Sequence, residues 1–237
     1  KFMRLNFRVV LFEINAFESA IKNPQRPENI EDIDIIFSKC KNFSDNQIAP
    51  FMDWVSSMSK AIRLRLEATD YENITDNGIA MLGYCLIRLT QLISLNLSIG
   101  KLPKATDGGF WSLMRGLTQS RLKVLALDVS KWNLGKDSFV SNVKSILENC
   151  TLLEAVALNC AGLVKLNDKA VSSLASALKK TRYIRDLSLN LGDCPELTNE
   201  SLNKIASCVC YLEDNLIRVQ LGFGNLHRSE ERRVGKE

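Results

Sequence analysis

The residues able to do chemistry are few and widely spaced along the 237-residue chain. The single histidine, His227, lies near the C-terminus, so a Ser-His or Cys-His pair has no histidine in the rest of the chain. Cys208 and Cys210 form a C-x-C motif without a second pair of ligands, which is a weak zinc signal. Gly108-Gly109 lacks the flanking pattern of a phosphate-binding loop. We therefore expect no catalytic, cofactor or metal site, and no enzyme.

Composition excludes several further classes of protein. Apolar residues make up 46% of the chain, enough for a sizeable core, but no run of 18 apolar residues predicts a membrane span. The formal net charge is only +4 and is spread along the chain, so we expect neither nucleic acid nor a membrane surface as partner. The seven cysteines are irregularly spaced and fall mostly in apolar runs. That pattern favours buried, reduced thiols in a cytoplasmic protein.

A six-residue pattern with apolar residues at its first, fourth and sixth positions recurs eight times. Successive fourth positions are separated by 28, 31, 31, 30, 31, 31 and 32 residues. A nearly constant period of about 30 residues predicts a stacked solenoid. The fourth-position residues are Leu5, Ile33, Leu64, Leu95, Leu125, Val156, Leu187 and Val219.

Each unit also contains a helical pattern. An apolar residue follows the strand by about fifteen positions, as at Ile79 and Val171, and polar capping residues such as Thr75 and Asn167 precede it. Each unit therefore reads as strand, loop, helix and return loop. One unit cannot bury both apolar faces alone, so neighbours must stack, with the strands in one parallel sheet and the helices on its other side. Helices are wider than strands, so we expect a curved sheet with a concave inner face.

These units resemble the long leucine-rich repeats of the ribonuclease-inhibitor-like class, as found in many protist proteins, and the best match runs from Leu152 to Asn190. The resemblance covers residues 1–227 and implies an α/β leucine-rich-repeat solenoid of about eight repeats. The chain departs from the family at the position that usually holds Asn or Cys, so an asparagine ladder is missing. The residues at that position are Ser38, Thr69, Gly100, Ser130, Ala161, Gly192 and Gly224.

Both ends of the sequence lead to expectations about its completeness. The chain begins with Lys1 rather than Met, and we expect residues 1–227 to be a leucine-rich-repeat domain from a longer protein. The last ten residues, 228–237, read RSEERRVGKE and resemble the translation of a common sequencing adapter. We therefore expect residues 228–237 to be an artefactual tail.

The candidate partner-binding residues lie on the predicted concave face, because side chains alternate along a strand. The middle of this face has small, mostly neutral residues, and both ends carry charge. The face could form a groove for a helix or loop of a partner protein, or it could be an ordinary solvated sheet surface. The candidates are Arg63, Arg65, Glu67, Asn96, Asp128, Asn159, Asp186, Asn190 and Arg218.

The sequence also predicts where the three tryptophans lie in the fold. Trp54 and Trp111 lie in helical segments with apolar neighbours and are predicted to pack in the core. Trp132 lies in the loop after a strand, on the predicted rim. It is a candidate contact residue, and the alternative is that it covers apolar contacts of its own loop.

The sequence favours a protein-interaction scaffold or regulatory module with an unidentified protein partner, and a monomeric repeat domain. Two alternatives follow from the resemblance. The repeats from Cys150 to Asp168 are similar to those of ubiquitin-ligase receptors, where they recognise substrates. Other long-repeat proteins regulate a kinase or a small GTPase.

Overall fold

A computed structural model describes residues 3–10, 30–38, 43–117 and 121–224, apart from the side chains of 3–10, Ser38 and Lys136. Eight strands and six helices occur in these residues, and from β2 to β7 each strand is followed by a helix. The strands are β1 (Met3–Val10), β2 (Ile30–Ser38), β3 (Arg63–Ala68), β4 (Ser94–Ser98), β5 (Val124–Asp128), β6 (Ala155–Asn159), β7 (Asp186–Asn190) and β8 (Arg218–Gly222). The helices are α1 (Asp45–Ser56), α2 (Asp76–Arg88), α3 (Asp107–Leu117), α4 (Lys136–Asn149), α5 (Asp168–Leu178) and α6 (Asn199–Tyr211).

The eight strands form one parallel sheet in chain order, β1 to β8. The fourth-position residues of the sequence repeat pair with one another across every strand boundary, as in Leu64 with Leu95 and Val156 with Leu187. From Ile33 to Leu187 these side chains are at most 2% exposed. The predicted row of apolar residues is therefore confirmed, and it runs along the length of the sheet.

The helices cover one side of the sheet and complete the core. Apolar residues three or four positions apart, such as Ile48, Phe51 and Val55 of α1, face the strands and are buried. The same cluster includes Trp54, which is 8% exposed, so its predicted place in the core is confirmed. Since the core continues from repeat to repeat without a break, each unit depends on its neighbours for burial.

Backbone hydrogen bonds connect the turns that follow the strands. After each of five consecutive strands, β3 to β7, the second or third residue has a positive φ, from +56° to +73°. Its N–H donates to a carbonyl of the next repeat at 2.7–3.1 Å, as Lys131 N–H does to Ala161. This turn ladder joins neighbouring loops where an asparagine ladder was predicted to be missing. The residues with positive φ are Asp70, Lys101, Lys131, Gly162 and Asp193.

A second ladder connects the helix starts. The predicted caps are confirmed at Thr75, Asn167 and Thr198, whose side-chain oxygens accept N–H groups of the first helical turn. In addition, the first aspartate of a helix accepts the cap N–H of the next repeat, as Asp168 does from Thr198 at 2.9 Å. We call this set the aspartate ladder. Its members are Asp45, Asp76, Asp107 and Asp168.

The aspartate ladder is interrupted at α4, which begins with Lys136. Lysine has no acceptor atom, so it cannot receive the N–H of the next cap, Asn167. The cap of α4 is Gly135, which provides no side-chain hydrogen bond. Helices α4 and α5 therefore lack the hydrogen bond from a cap N–H to an aspartate that joins α1 to α2, α2 to α3 and α5 to α6.

The last described strand, β8, is less covered than the others. Val219 and Leu221 occupy the same apolar rows but are 39% and 38% exposed. No helix among the described residues is long and apolar enough to cross a membrane. His227 and the predicted tail at 228–237 lie outside the described residues.

Candidate functional site

The helix-free side of the sheet, here called the open face, carries the predicted partner-binding residues. Parallel pairing aligns them in three rows, one for each outward position of the strands. From β2 to β8 the first row is Asp32, Arg63, Ser94, Val124, Ala155, Asp186 and Arg218. The second is Asp34, Arg65, Asn96, Ala126, Ala157, Ser188 and Gln220, and the third runs from Ile36 through Glu67, Ser98, Asp128, Asn159 and Asn190 to Gly222.

One end of the open face is a network of alternating charges on β2 and β3. Arg63 forms an ion pair with Asp32 and donates from Nη2 to Asp32 Oδ2 at 2.7 Å. This hydrogen bond, with the negative charge of Asp32, raises the pKa of the Arg63 guanidinium. Arg65 lies between two carboxylates, 3.9 Å from Asp34 and 3.3 Å from Glu67. The predicted residues Arg63, Arg65 and Glu67 are therefore brought together.

At the other end, Asp186 and Arg218 are neighbours on β7 and β8. Arg218 Nε lies 3.9 Å from Asp186 Oδ1, and the two side chains are 77% and 44% exposed in that order. A pair so open to water is only weakly held, because solvent screens the attraction. Both side chains are free to turn towards a partner.

Between the charged ends the open face is lined by small side chains. Asn96 is exposed, and Ala126, Ala157 and Ser188 occupy the same row on the next three strands. These short side chains leave a shallow hollow of about 300 Å³ across β4 to β8. The hollow is open to solvent along its length, unlike the enclosed and mostly apolar pockets that bind small molecules.

Three of the predicted binding residues also hold the turns at the strand ends. Asp128, Asn159 and Asn190 each accept, through Oδ1, the N–H of the residue two positions later, at 2.9, 3.3 and 3.1 Å. This local bond is the one that Asp and Asn form in Asx turns. Their remaining polar atoms border the hollow, so these residues have a structural role beside any role in binding.

Trp132 is not a contact residue on the rim, and that prediction is wrong. Its side chain is 1% exposed, packs edge-on against Phe110 and donates from Nε1 to the Ile99 carbonyl. The alternative, that it covers contacts of its own loop, describes its position. The corresponding residues in neighbouring repeats, Leu102 and Leu163, are buried too. Aligning the repeats at this position would have identified Trp132 as a core residue.

Trp111 was predicted to lie in the core and is instead 51% exposed on α3. Arg115 lies over its indole ring, 4.9 Å from the ring centroid. The corresponding residues of three other repeats, Ala80, Ser172 and Asn203, are small or polar, which is a sequence signal for an outward position, whereas Val140 of α4 is apolar and buried. The outer side of the helices therefore carries at least one large exposed aromatic side chain.

Four of the described thiols are poor nucleophiles. Cys85, Cys150, Cys160, Cys194 and Cys208 are buried as predicted, and Cys210 is exposed. Burial raises the pKa of Cys85 to about 12 and also raises the pKa of Cys160, Cys194 and Cys208. These four thiols stay protonated at neutral pH. Within residues 30–38, 43–117 and 121–224, no group of three His, Cys, Asp or Glu side chains could hold a metal ion.

Strand order, register and a one-sided layer of helices define the class of fold. The chain is an α/β solenoid of leucine-rich-repeat type, with two apolar rows as its spine. The ribonuclease-inhibitor-like subclass stays a prediction.

Comparison with known proteins gives no assignment by sequence, since neither a family model nor a curated protein matches the chain. Among solved structures it is similar to one described as "Crystal structure of Rad7 and Elc1 complex in yeast", at 18% identity and a TM-score of 0.45. The alignment covers 84% of this chain and 58% of that chain, so the protein spans less than two thirds of its structural neighbour.

Proposed function

We propose that the protein is a protein-binding module whose open face receives a segment of a partner protein. The observation that supports this most directly is the hollow of about 300 Å³ between two charged ends. Its mixed lining of small apolar and polar groups and its shallow shape suit a polypeptide segment with small or polar side chains. The charged pairs at either end, Arg65 with its carboxylates and Asp186 with Arg218, would orient that segment and set its direction.

We also propose that the module is not an enzyme. The protonated, buried thiols and the solvent-open hollow support this, because catalysis needs an activated group in a site that excludes water. Substrate recognition in a ubiquitin-ligase receptor and regulation of a kinase or small GTPase stay predictions. No described residue favours one of them over the other.

The test fills the hollow without changing net charge. Ala126 and Ala157 are direct neighbours on β5 and β6, so the double substitution Ala126→Glu/Ala157→Arg places an opposite-charge pair there. Proximity labelling in cells should enrich a set of proteins with the wild-type chain, and the double variant should lose them. The matched control is Tyr211→Ser, an exposed change on α6, which should keep them. Equal enrichment by wild type and the double variant, with unchanged melting, would contradict binding at the open face.

A further inference from the structure

The outer sides of α2 and α3 differ from those of the helices that follow. Met81, Tyr84 and Ile87 of α2 are 45%, 55% and 47% exposed, and Trp111 of α3 is 51% exposed. The exposed residues of α4 and α5 are instead polar or charged, namely Asp137, Ser141, Lys144, Glu148, Asn149, Lys169, Ser173 and Ser176. Large apolar side chains that cluster in water commonly mark a binding surface.

Glycines bring α2 and α3 into backbone contact, so their outer residues form one surface. A Cβ atom on Gly83 would lie 2.4 Å from the Ser112 carbonyl oxygen, and one on Gly116 would lie 2.4 Å from the Gly83 carbonyl oxygen. Only glycine allows helices to approach so closely. Tyr84 directly follows Gly83, and Trp111 directly precedes Ser112. We call the combined surface the α2–α3 platform, formed by Met81, Tyr84, Ile87, Arg88, Trp111 and Arg115.

The charges of the platform are positive. The Arg88 guanidinium lies 6.0 Å from the centroid of the Tyr84 ring. The Arg115 guanidinium lies 4.9 Å from the centroid of the Trp111 ring. Arg88 forms no ion pair with any carboxylate of the described chain. Beneath the platform, burial raises the pKa of the Cys85 thiol. The positive charge of Arg88 lowers this pKa, and the negative charge of Asp53 on α1 raises it. The Arg88 guanidinium, held over the Tyr84 ring, remains open to a carboxylate that approaches from solvent, and Arg115 adds a second positive charge over Trp111.

We propose that the α2–α3 platform docks an amphipathic helix of another protein, one with an apolar side and acidic flanks. The apolar side covers Tyr84 and Trp111, and the Asp or Glu residues pair with Arg88 and Arg115. From Met81 to Arg88 the platform is about 10 Å long, and two packed helices add a similar width, which fits two to three turns of a helix.

Two other occupants fit the surface less well. A second copy of the chain, docked symmetrically, would set arginines against arginines, because the platform itself contains no carboxylate. A nucleic acid would use the two cations and the rings, but it would leave the aliphatic Met81 and Ile87 without an apolar counterpart. An acidic amphipathic helix matches all the groups of the platform, because its apolar side covers the aliphatic and aromatic side chains and its carboxylates pair with the guanidinium groups.

The probe is a fluorescent 18-residue helical peptide with leucines on one side and glutamates on its flanks. A control peptide has lysine in place of each glutamate. In anisotropy titrations the glutamate peptide should bind the wild-type chain at least tenfold more tightly than the lysine peptide. Tyr84→Ser/Trp111→Ser should weaken binding at least tenfold. These two serines match Ser176 and Ser172, the residues of α5 at the same repeat positions, so the fold should be preserved.

Three further variants make the outcome specific. Tyr211→Ser removes an exposed aromatic ring that also lies under a cation, Lys179, but on α6, and it should leave peptide binding unchanged. Arg88→Glu/Arg115→Glu should reverse the preference in favour of the lysine peptide. The open-face variant Ala126→Glu/Ala157→Arg should still bind the glutamate peptide, so this result is separate from the proposed function.

The proposal is overturned if the two peptides bind equally, or if Tyr211→Ser weakens binding as much as the platform variant does. Competition by a 20-nucleotide poly-dT strand, abolished in the platform variant, would assign the surface to nucleic acid instead. Sedimentation would reveal a second copy of the chain as the occupant, if a wild-type dimer disappears in Tyr84→Ser/Trp111→Ser.

Discussion

Trp132 fills the space below the turn after β5 and joins two neighbouring repeats through its contacts. Its ring packs against Phe110 of the preceding unit, Phe110 stacks on Phe139 at 5.7 Å between ring centroids, and its N–H bonds to the Ile99 carbonyl. Buried tryptophan usually finds such a partner for its N–H group. The side chain therefore stabilises the solenoid at the centre of its length.

We expect Trp132→Phe to destabilise the protein by about 1–3 kcal/mol, because it removes the donor to Ile99 and leaves a small void. Urea unfolding followed by circular dichroism measures the loss. Trp111→Phe is the matched control, since Trp111 is half-exposed, and it should change stability by less than about 0.5 kcal/mol. Equal effects of the two substitutions would contradict the role given to Trp132.

Asp168 provides a pH-dependent contribution to stability. Partial burial raises the pKa of its carboxyl group, but hydrogen bonds from Ser201 and Thr198 outweigh burial, so the net pKa lies below the ordinary value of 3.8. A carboxyl group whose pKa is lower in the folded state stabilises that state at neutral pH. This contribution is lost as the pH falls through the unfolded and then the folded pKa.

We therefore expect Asp168→Asn to lower the urea midpoint at pH 7 and to change it less at pH 3, because that pH lies below the ordinary carboxyl pKa of 3.8 and part of the wild-type contribution is already lost there. Asp137, an exposed acid near the start of α4, offers the control substitution Asp137→Asn. A difference between wild type and Asp168→Asn that is the same at both pH values would rule out the charged form as the source of stability.

At the scale of elements, the helices are joined at their first residues as well as through the core. The sequence predicted the caps, since Thr and Asn before an apolar helical pattern have a known local function. It did not predict that the following aspartate bonds to the next repeat. That bond depends on adjacent helices starting at the same height, which is a property of the stack and not of one segment.

The interruption at Lys136 leads to a prediction. Lys136→Asp should supply the missing acceptor for Asn167 N–H and remove a positive charge from a helix start, where the helix dipole disfavours it. We expect a gain of about 1 kcal/mol in the free energy of unfolding. Lys144→Asp, in the exposed middle of the same helix, should give no gain. A stability of Lys136→Asp at or below that of wild type would show that the ladder contributes little.

At the scale of the whole molecule, the fold was predictable and much of the site was not. The period and the apolar rows predicted the parallel sheet and its register, because only one stacking order buries leucines such as Leu64 and Leu158. A prediction from the neighbours in sequence was correct for Trp54 but wrong for Trp132 and Trp111. Trp132 and Trp111 are placed correctly by their equivalents in other repeats. The turn ladder could not be predicted, because it uses backbone atoms and residue types as different as Asp70, Lys101 and Gly162.

The shared spine implies that one buried charge disrupts more than its own unit. Leu158 is 3% exposed, in the row between Leu127 and Leu189, so Leu158→Asp should unfold the neighbouring repeats and cost more than about 4 kcal/mol. Hydrogen exchange should show lost protection in β5 to β7. Ala157→Asp, one position away on the open face, should remain folded. A melting temperature for Leu158→Asp equal to that of wild type would disprove the assigned register.

Because of the turn ladder, one whole repeat can be removed and the repeats on either side of it can still form the same backbone hydrogen bonds. Every donor in the ladder is a main-chain amide that points to the C-terminal neighbour, so any unit can follow any other if the phase is preserved. Removing the 31 residues from Leu125 to Ala155 should leave Lys101 facing the Ala161 carbonyl and Asp107 facing the amide of Asn167. That shorter protein, which lacks the lysine-started helix, should melt cooperatively in a thermal scan. Removing 15 residues instead should abolish the transition.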